Sequence, residues 1–272
     1  MNILLRASAA VGAACLGLAL FAPAAGATGT GLAGVLKIGG CSGSLIRLPD
    51  SAPGDRALAL TNGHCYEGAK PVADEVLVNR PSERLAALLD DKGGTVATLQ
   101  ATKALYVTMT GTDMALYELK QTYRQIEAEH GARPFTITTG RPAVGTAIRI
   151  VSGGLKKVYE CDIDRLVYRV LETGNVTKDV IRYTQACDTG PGSSGSPMLD
   201  RTSGELVGLN NTSNRAGEQC TVNNPCEMDR DGVITVHKGR GYGTQVYWLT
   251  TCFDGHSRLN LAKKGCLLPK PA

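Results

Sequence analysis

The stretch CDTGPGSSGSPML, residues 187–199, places two serines between glycines and ends the run with Pro197. Glycine, serine and proline are the commonest turn residues, so one interpretation is a plain surface turn. The other is a nucleophile held on a tight loop, with backbone N–H groups directed at an oxyanion. A single Gly-x-Ser-Gly run is weak evidence for either, so the rest of the chain has to decide between them.

Composition and charge narrow the class of protein. Of the 272 residues, 43% are hydrophobic, 20% are charged and 33 are glycine. This is a globular balance, and many glycines among short apolar runs are typical of an all-β, turn-rich fold. The formal net charge is +4, and no run of lysine and arginine is dense enough to indicate nucleic-acid binding. We therefore expect no nucleic-acid partner.

The N-terminal segment has the layout of a secretory signal peptide. Arg6 precedes an apolar run, and small residues follow it, ending in AGA at positions 25–27. We predict a signal peptide over residues 1–27 and a secreted protein with no membrane contact after cleavage. A membrane anchor is the alternative, although Pro23 interrupts the run and no basic flank follows it. Lipid modification of Cys15 is a second alternative.

The cysteine count fits an exported protein. Nine cysteines are present, and Cys15 leaves with the predicted signal peptide. An even number in an exported chain indicates disulfides, but the count does not say which cysteines pair. No pair shows the CxxC spacing of a zinc site, so we expect no metal. The remaining cysteines are Cys41, Cys65, Cys161, Cys187, Cys220, Cys226, Cys252 and Cys266.

Short apolar bursts, several with a period of two residues, indicate strands from Val35 onward. Turn residues such as glycine, proline, aspartate and asparagine lie between them. Two stretches instead predict helices: SERLAALLDD at 82–91, and LKQTYRQIEAEHG at 119–131 with Gly131 at its end. Many strands separated by turns indicate a sandwich or barrels, and the pattern alone does not choose between them.

Two other short motifs carry residues that could activate a nucleophile. His64 stands in TNGHC, after an apolar run and beside Cys65; the alternative is a histidine in a polar turn beside a disulfide. Asp113 stands in TDMALYEL, where an acid directly before an apolar run suggests a carboxylate at the rim of a core. The alternative there is a capping or turn aspartate. Because imidazole titrates near neutral pH, a histidine can serve as the base for a serine hydroxyl.

The order of the three motifs is more specific than any one of them. His64 in TNGHC, Asp113 in TDMALYEL and Ser194 in GSSGSP resemble the three signatures of the trypsin/chymotrypsin-like serine proteases. CDTGPGSSGSP is most similar to bacterial secreted members, including the glutamyl-endopeptidase-like branch. The resemblance extends over residues 34–255.

This resemblance implies an all-β fold: two six-stranded antiparallel β-barrels with the active site in the cleft between them, and few short helices. It implies one peptidase domain at 28–272, with an N-terminal barrel over about 34–120 and a C-terminal barrel over about 135–255. The implied function is a serine endopeptidase that hydrolyses peptide bonds through an acyl-enzyme, without a cofactor. Its partners would be protein or peptide substrates, and nothing demands more than a monomer. The alternative is a catalytically inactive, protease-like domain that binds protein through the same cleft.

The family's residue roles carry over to the positions that match its motifs. Ser194 would be the nucleophile, His64 the base, and Asp113 the carboxylate that holds the histidine. The N–H groups of Gly192 and Ser194 would form the oxyanion hole. The implied disulfides are Cys41–Cys65, Cys161–Cys187 and Cys220–Cys226, with Cys252 and Cys266 left as the fourth pair.

The implied substrate preference rests on the pocket residues. Asp188 lies six residues before Ser194, where trypsin-like members place the acid at the base of the primary pocket. This implies cleavage after arginine or lysine. The implied pocket wall is Asn210, Asn211 and Thr212, which is polar and uncharged, and a histidine at the position of Asn210 would have favoured acidic side chains.

Two features depart from known patterns. Ser193 stands where zymogen-type members carry the aspartate that pairs with a newly cut N-terminus, and no Ile-Val-Gly-Gly start is present. We therefore predict that the protein is competent without that ion pair.

Residues 227–232, EMDRDG, resemble part of a calcium loop, but the twelfth position is Lys238 rather than glutamate, so we predict a hairpin turn there.

Overall fold

The computed structural model describes residues 31–272. The predicted signal peptide, with Arg6, Cys15 and the cleavage site after Ala27, lies outside the described residues. Within residues 31–272, short strands alternate with turns, and the two α-helices are short. No helix in this part of the chain is both long and apolar enough to cross a membrane.

The first barrel is built from the strands of the first half of the chain. Their bounds are β1 Val35–Ile38, β2 Cys41–Arg47, β3 Arg56–Thr61, β4 Val76–Pro81, β5 Leu85–Leu89, β6 Thr95–Thr108 and β7 Met114–Thr122. Six of them bond in the order β1-β5-β6-β7-β3-β2, and β2 pairs with β1 to close the ring. β4 pairs with β6 outside the ring. The helix α1 (Tyr123–His130) and the short strand β8 (Phe135–Thr136), which is parallel to β2, follow.

The second barrel repeats this arrangement in the second half of the chain. Its strands are β9 Ala147–Ser152, β10 Lys157–Glu172, β11 Asn175–Tyr183, β12 Pro197–Asp200, β13 Leu206–Ser213, β14 Cys226–Met228, β15 Ile234–Thr235 and β16 Gly241–Gln245. The ring runs β9-β10-β11-β16-β13-β12 and closes where β12 pairs with β9. The predicted fold of two six-stranded antiparallel β-barrels is confirmed. The chain continues through α2 (Tyr247–Thr250), β17 (Phe253–Asp254) and β18 (Arg258–Leu259).

An apolar layer joins the two barrels. Successive side chains of a strand point to opposite faces, so Ala59 of β3 packs inside the first barrel while its neighbour Leu60 faces outward. Leu60 is buried in one cluster with Val151 and Leu209 of the second barrel. Because buried apolar side chains of both barrels pack in this one inter-barrel layer, it fixes the strand ends of one barrel against those of the other.

The C-terminal segment also packs into the inter-barrel layer. Leu268 is only 2% exposed and belongs to the same apolar cluster. The hydroxyl of Tyr106 donates a hydrogen bond to the carbonyl of Pro269 at 3.0 Å. A side chain on Gly111 would meet the Pro269 ring, so the segment lies directly against the loop that precedes Asp113.

The two helix predictions have different outcomes. The helix predicted at 82–91 is wrong: Leu85–Leu89 forms β5, which pairs with both β1 and β6. Leucine and alanine favour helices, but pairing on two sides within a closed barrel outweighs that intrinsic preference. The helix predicted at 119–131 starts later, because β7 extends to Thr122, which caps α1 through a capping box. Gly131 ends α1 with φ 64°, as predicted.

The cross-links and one turn agree with the sequence predictions. All four implied disulfides are present: Cys41–Cys65, Cys161–Cys187, Cys220–Cys226 and Cys252–Cys266. The hairpin predicted at 227–232 is also confirmed, because β14 pairs with β15 across it. The carboxylate of Asp229 accepts hydrogen bonds from the N–H groups of Asp231 and Val233, both at 2.9 Å, so it stabilises the turn itself.

Candidate active site

One carboxylate of the first barrel holds a histidine by two hydrogen bonds. His64 lies in a single 3₁₀ turn after β3, and the Cys41–Cys65 disulfide ties that turn to β2. Asp113 directly precedes β7, the neighbour of β3, and is 5% exposed. Its Oδ2 lies 2.7 Å from His64 Nδ1, and its Oδ1 accepts the His64 backbone N–H at 3.0 Å. Both oxygens therefore fix the histidine, one through the ring and one through the peptide.

The electrostatics of His64 follow from this contact. Burial disfavours the imidazolium ion, but the charge of Asp113 and its hydrogen bond outweigh burial, so the pKa of His64 is raised above its ordinary value. Lys70 lowers that pKa and Glu172 raises it, both by smaller amounts. A histidine in this setting is stabilised as a cation after it has taken a proton, as a catalytic base requires.

The second barrel supplies the loop with the serines, between β11 and β12. The Cys161–Cys187 disulfide ties its start to β10. Gly195 has φ 76°, and a side chain there would meet Ser42 O at 2.3 Å, so the loop needs glycine to approach the first barrel this closely. Ser42 N donates to Ser194 O at 2.8 Å. The loop is thus docked by its backbone onto β2.

Two amide groups of this loop are available to a ligand. Ser193 N–H donates to Gly190 O at 3.0 Å, and Gly195 N–H donates to Asn210 O at 2.8 Å. Within residues 31–272, the N–H groups of Gly192 and Ser194 donate to no protein acceptor. Gly192 and Ser194 are half-buried, and two unpaired amides beside a serine make a site for a negatively charged oxygen.

The two halves meet in one cleft. His64, Asp113 and Ser194 line the same cavity of about 240 Å³, together with Asn211 and Thr212. The Ser194 hydroxyl lies 3.4 Å from the carbonyl oxygen of Asn211. The structure therefore brings together the three residues that the sequence motifs single out, although they lie far apart along the chain.

The other predicted pocket residues are placed differently. Asn210 is 1% exposed, and its amide donates to the carbonyl and hydroxyl of Ser193 at 3.0 and 2.9 Å. Asn210 thus supports the serine loop from beneath. Asp188 is exposed and lines a separate surface cavity of about 120 Å³ with Ser213 and Arg215. The structure does not bring Asp188 into the cleft that holds Ser194.

Glu172 is a cleft residue that the sequence analysis missed. It is the last residue of β10 and lines the cavity with His64 and Ser194. No motif marks it, because LVYRVLE at 166–172 indicates only a short apolar strand. Its position before the Thr173–Gly174 turn of the β10–β11 hairpin was the available signal, since an acid at a strand end can face a cleft.

The residues near His64 do not form a metal site. Within residues 31–272, the one cluster with ligand atoms close enough for a metal ion is His64 with Cys41 and Cys65. Those two sulfurs are joined in a disulfide, so they are not thiolate ligands.

Comparisons with known proteins agree with this geometry. Residues 41–209 match the sequence profile of the family described as a trypsin-like peptidase domain. The MamO protease domain from Magnetospirillum magneticum has a similar structure, with TM-score 0.50, 14% identity, and coverage of 79% of this chain and 93% of that chain. The active form of the Rv3671c protease from M. tuberculosis gives TM-score 0.49 and 15% identity, covering 89% of this chain and 84% of that chain.

No curated protein sequence matches the chain significantly. The likeness to MamO, at 14% identity, concerns the fold. The family profile spans more than half of the chain and includes His64, Asp113 and Ser194. The chain belongs to the trypsin-like peptidase family.

Proposed function

We propose that this protein is a secreted serine endopeptidase that uses His64, Asp113 and Ser194 to hydrolyse peptide bonds through an acyl-enzyme. The observation that carries the proposal is the pair of hydrogen bonds that Asp113 accepts from the ring and the backbone N–H of His64, in the same cavity as Ser194. The four disulfides support export, because such bonds persist in oxidising compartments.

The proposed reaction starts at the serine hydroxyl, which is a poor nucleophile at neutral pH. Asp113 accepts Nδ1–H of His64, so the other ring nitrogen is unprotonated and can take the Ser194 proton as the oxygen attacks the carbonyl carbon. The N–H groups of Gly192 and Ser194 bind the resulting oxyanion. The imidazolium then gives its proton to the leaving amine, and the C–N bond breaks to leave an ester on Ser194.

Deacylation repeats these steps with water in place of the serine. His64 takes a proton from water, the hydroxide attacks the ester carbonyl, and the oxyanion again binds the two amides. Collapse of this intermediate releases the carboxylic acid and returns the proton to Ser194. Asp113 stays ionised throughout and stabilises the imidazolium at both stages.

We also propose that the serine loop is ordered without the ion pair of zymogen-type relatives. Ser193 is 2% exposed, and its hydroxyl donates to Gly190 O at 2.5 Å. The amide of Asn210 adds two hydrogen bonds to Ser193. Ser193 is therefore held by neutral hydrogen bonds alone. A buried aspartate at this position would instead need the charge of a newly cut N-terminus. We therefore expect no activation cut beyond removal of the predicted signal peptide.

The preference for arginine or lysine before the scissile bond stays a prediction that depends on Asp188. Its exposed position makes Asp188→Asn a mild substitution for folding. If Asp188 contacts the substrate, Asp188→Asn will lower cleavage after arginine and lysine relative to other residues in a peptide library. An unchanged library profile will mean that other residues set this preference.

Labelling with a fluorophosphonate tests the proposed function. We expect covalent labelling of the secreted protein at Ser194, found by mass mapping, and none in Ser194→Ala. Ser203→Ala is the matched control, because Ser203 is exposed in the turn between β12 and β13. If the folded, oxidised wild type takes no label but still binds peptides, the protein is an inactive member of the family that uses the same cleft for binding.

A further inference from the structure

The cleft continues beyond the three catalytic residues toward the end of the β10–β11 hairpin. Its remaining walls carry Met109 and Lys70 from the first barrel and Glu172 and Val222 from the second. Four titratable or charged side chains line it in all: His64, Asp113, Lys70 and Glu172. Glu172 is the one acid among them that has no role in the proposed reaction.

Glu172 is held on a stiff frame. The N–H of Asn223 donates to Glu172 Oε1 at 2.6 Å. The next residue, Thr173, donates its N–H to Cys220 O at 3.0 Å, and the Cys220–Cys226 disulfide closes that loop. Leu171 pairs with Cys226 across β10 and β14. A carboxylate fixed in this way loses little freedom when it binds a partner.

Glu172 lacks a cationic partner of its own. Within residues 31–272, no lysine, arginine or histidine nitrogen lies within 4.0 Å of its carboxylate. By contrast, the buried Glu227 of the same barrel is paired with Arg182 at 2.9 Å. Burial raises the pKa of Glu172, and the nearby Thr212 hydroxyl and the Asn223 N–H offset only part of this. A partly desolvated carboxylate without a cation is unfavourable for folding, which points to a role in binding.

The adjacent strand edge can take a peptide. β12 pairs with β13 only as far as Leu209, whereas β16 pairs with the other edge of β13 as far as Ser213. Residues 211–213 therefore leave one edge open beside Ser194, and an extended peptide can pair with such an edge. Thr212 of this segment and Glu172 line the same cavity. A side chain of the paired peptide can reach Glu172.

We propose that Glu172 is a specificity-determining residue that binds the cationic side chain of a lysine or arginine on the acyl side of the scissile bond. The proposal rests on the proposed peptidase function and concerns the substrate residues two to four positions before the cut. Binding supplies the cation that Glu172 lacks, in a partly desolvated cleft where a charge-assisted hydrogen bond is stronger than in water. Lys70 repels the same cation, so its removal should strengthen the preference.

The test uses fluorogenic peptides that differ at one acyl-side position, with lysine, alanine or glutamate two, three or four residues before the cut. At one position, we expect wild-type kcat/KM to be about tenfold to a hundredfold higher for lysine than for alanine. Glu172→Gln should bring this lysine-to-alanine ratio close to one. Glu172→Lys should favour the glutamate peptide instead. Glu205→Gln is the control. Glu205 directly precedes β13, at the end of that strand away from residues 211–213, and does not line the cleft.

Two further measurements distinguish failure of this proposal from failure of the proposed peptidase function. Fluorophosphonate labelling of Glu172→Gln shows whether the catalytic residues are intact; without labelling of the wild type, the proposed function itself fails. The acid limb of the pH profile should move to lower pH in Glu172→Gln, because Glu172 raises the pKa of His64 while Asp113 and Lys70 are unchanged. The inference is overturned if the labelled wild type shows no lysine preference at any acyl-side position. It is also overturned if Glu172→Gln keeps the lysine preference of the wild type.

Discussion

The two barrels contribute to the site by different means. The first barrel offers side-chain chemistry: the Asp113 carboxylate contacts both the ring and the backbone N–H of His64, and a disulfide braces the turn that carries His64. The second barrel offers backbone geometry: a glycine-rich loop docked through main-chain atoms onto β2, with two amides left unpaired. In the first half the identity of a side chain decides function, whereas in the second half the path of the chain does.

This difference predicts two kinds of mutational effect. Replacing the carboxylate of the first barrel by an amide of the same shape should preserve the geometry around His64 and remove the negative charge. Adding a methyl group to a glycine of the serine loop in the second barrel should leave every reactive group in place but shift the path of the loop. Ser194 belongs to both halves of this comparison, because in the proposed reaction its hydroxyl attacks the substrate and its amide binds the oxyanion.

The largest effect is expected at the nucleophile itself. Ser194→Ala should lower kcat by about a millionfold, because catalytic residues that act as a unit fail together. The measurement is single-turnover hydrolysis of a peptide ester, with circular dichroism to verify folding. Ser203→Ala should behave as the wild type. Residual activity within a hundredfold of the wild type would falsify the assignment of Ser194.

The next effect is expected at the carboxylate of the first barrel. Asp113→Asn should lower kcat by about ten-thousandfold with the fold intact, because the amide favours the wrong tautomer of His64. Asp90→Asn is the matched control, since Asp90 accepts backbone hydrogen bonds in the turn between β5 and β6. If Asp113→Asn costs less than tenfold, Asp113 is not the carboxylate that orients His64.

A smaller effect is expected where the loop of the second barrel docks. In Gly195→Ala the new methyl group would meet Ser42 O at 2.3 Å, and displacing the loop by about an ångström should cost about a hundredfold in kcat/KM. Gly204→Ala is a closely matched control, because Gly204 has φ 75° but nothing within 4 Å of the added carbon. Both variants carry the same backbone strain. Equal activity in the two would show that contact with β2 does not position Ser194.

The smallest effect is a shift of the pH profile. The acid limb of kcat/KM should have its midpoint above about 6.5, the ordinary value for histidine, because Asp113 raises the pKa of His64. Only neutral His64 accepts the serine proton, so activity increases with pH through this value. The contact of imidazolium with Asp113 stabilises the fold below the unfolded-state pKa, and this contribution is lost as pH rises through the folded-state pKa.

An NMR titration of His64 in Ser194→Ala measures this pKa directly. Asp113→Asn should lower it, since the negative charge is removed and burial then dominates. A midpoint at or below the ordinary value in the protein with Asp113 intact would mean that burial outweighs the carboxylate.

The sequence was most informative where the candidate functional residues stand in short motifs. His64, Asp113 and Ser194 each stand in a local pattern, and their order along the chain identified the family and through it the barrels and disulfides. Local patterns succeed here because the turn after β3, the start of β7 and the serine loop each carry their candidate residue within a short run of sequence.

The sequence was less informative where barrel closure decides the outcome. The leucine spacing of residues 85–89 suits a helix, yet pairing with β1 and β6 makes it a strand. Asn210 was assigned to the pocket wall, but a register shift between Asn210 and Thr212 accompanies its inward position beneath Ser193. Glu172 reaches the cleft only through the register of the long β10–β11 hairpin. Each of these depends on contacts distant in sequence, which no local pattern encodes.

The position of the C-terminal segment has a consequence for biosynthesis. Leu268 completes the apolar layer between the barrels, and Pro269 lies against the loop that leads to Asp113. Leu268 and Pro269 follow β18 in the chain, so a chain made N-terminus first completes this layer only after every strand of both barrels has been synthesised.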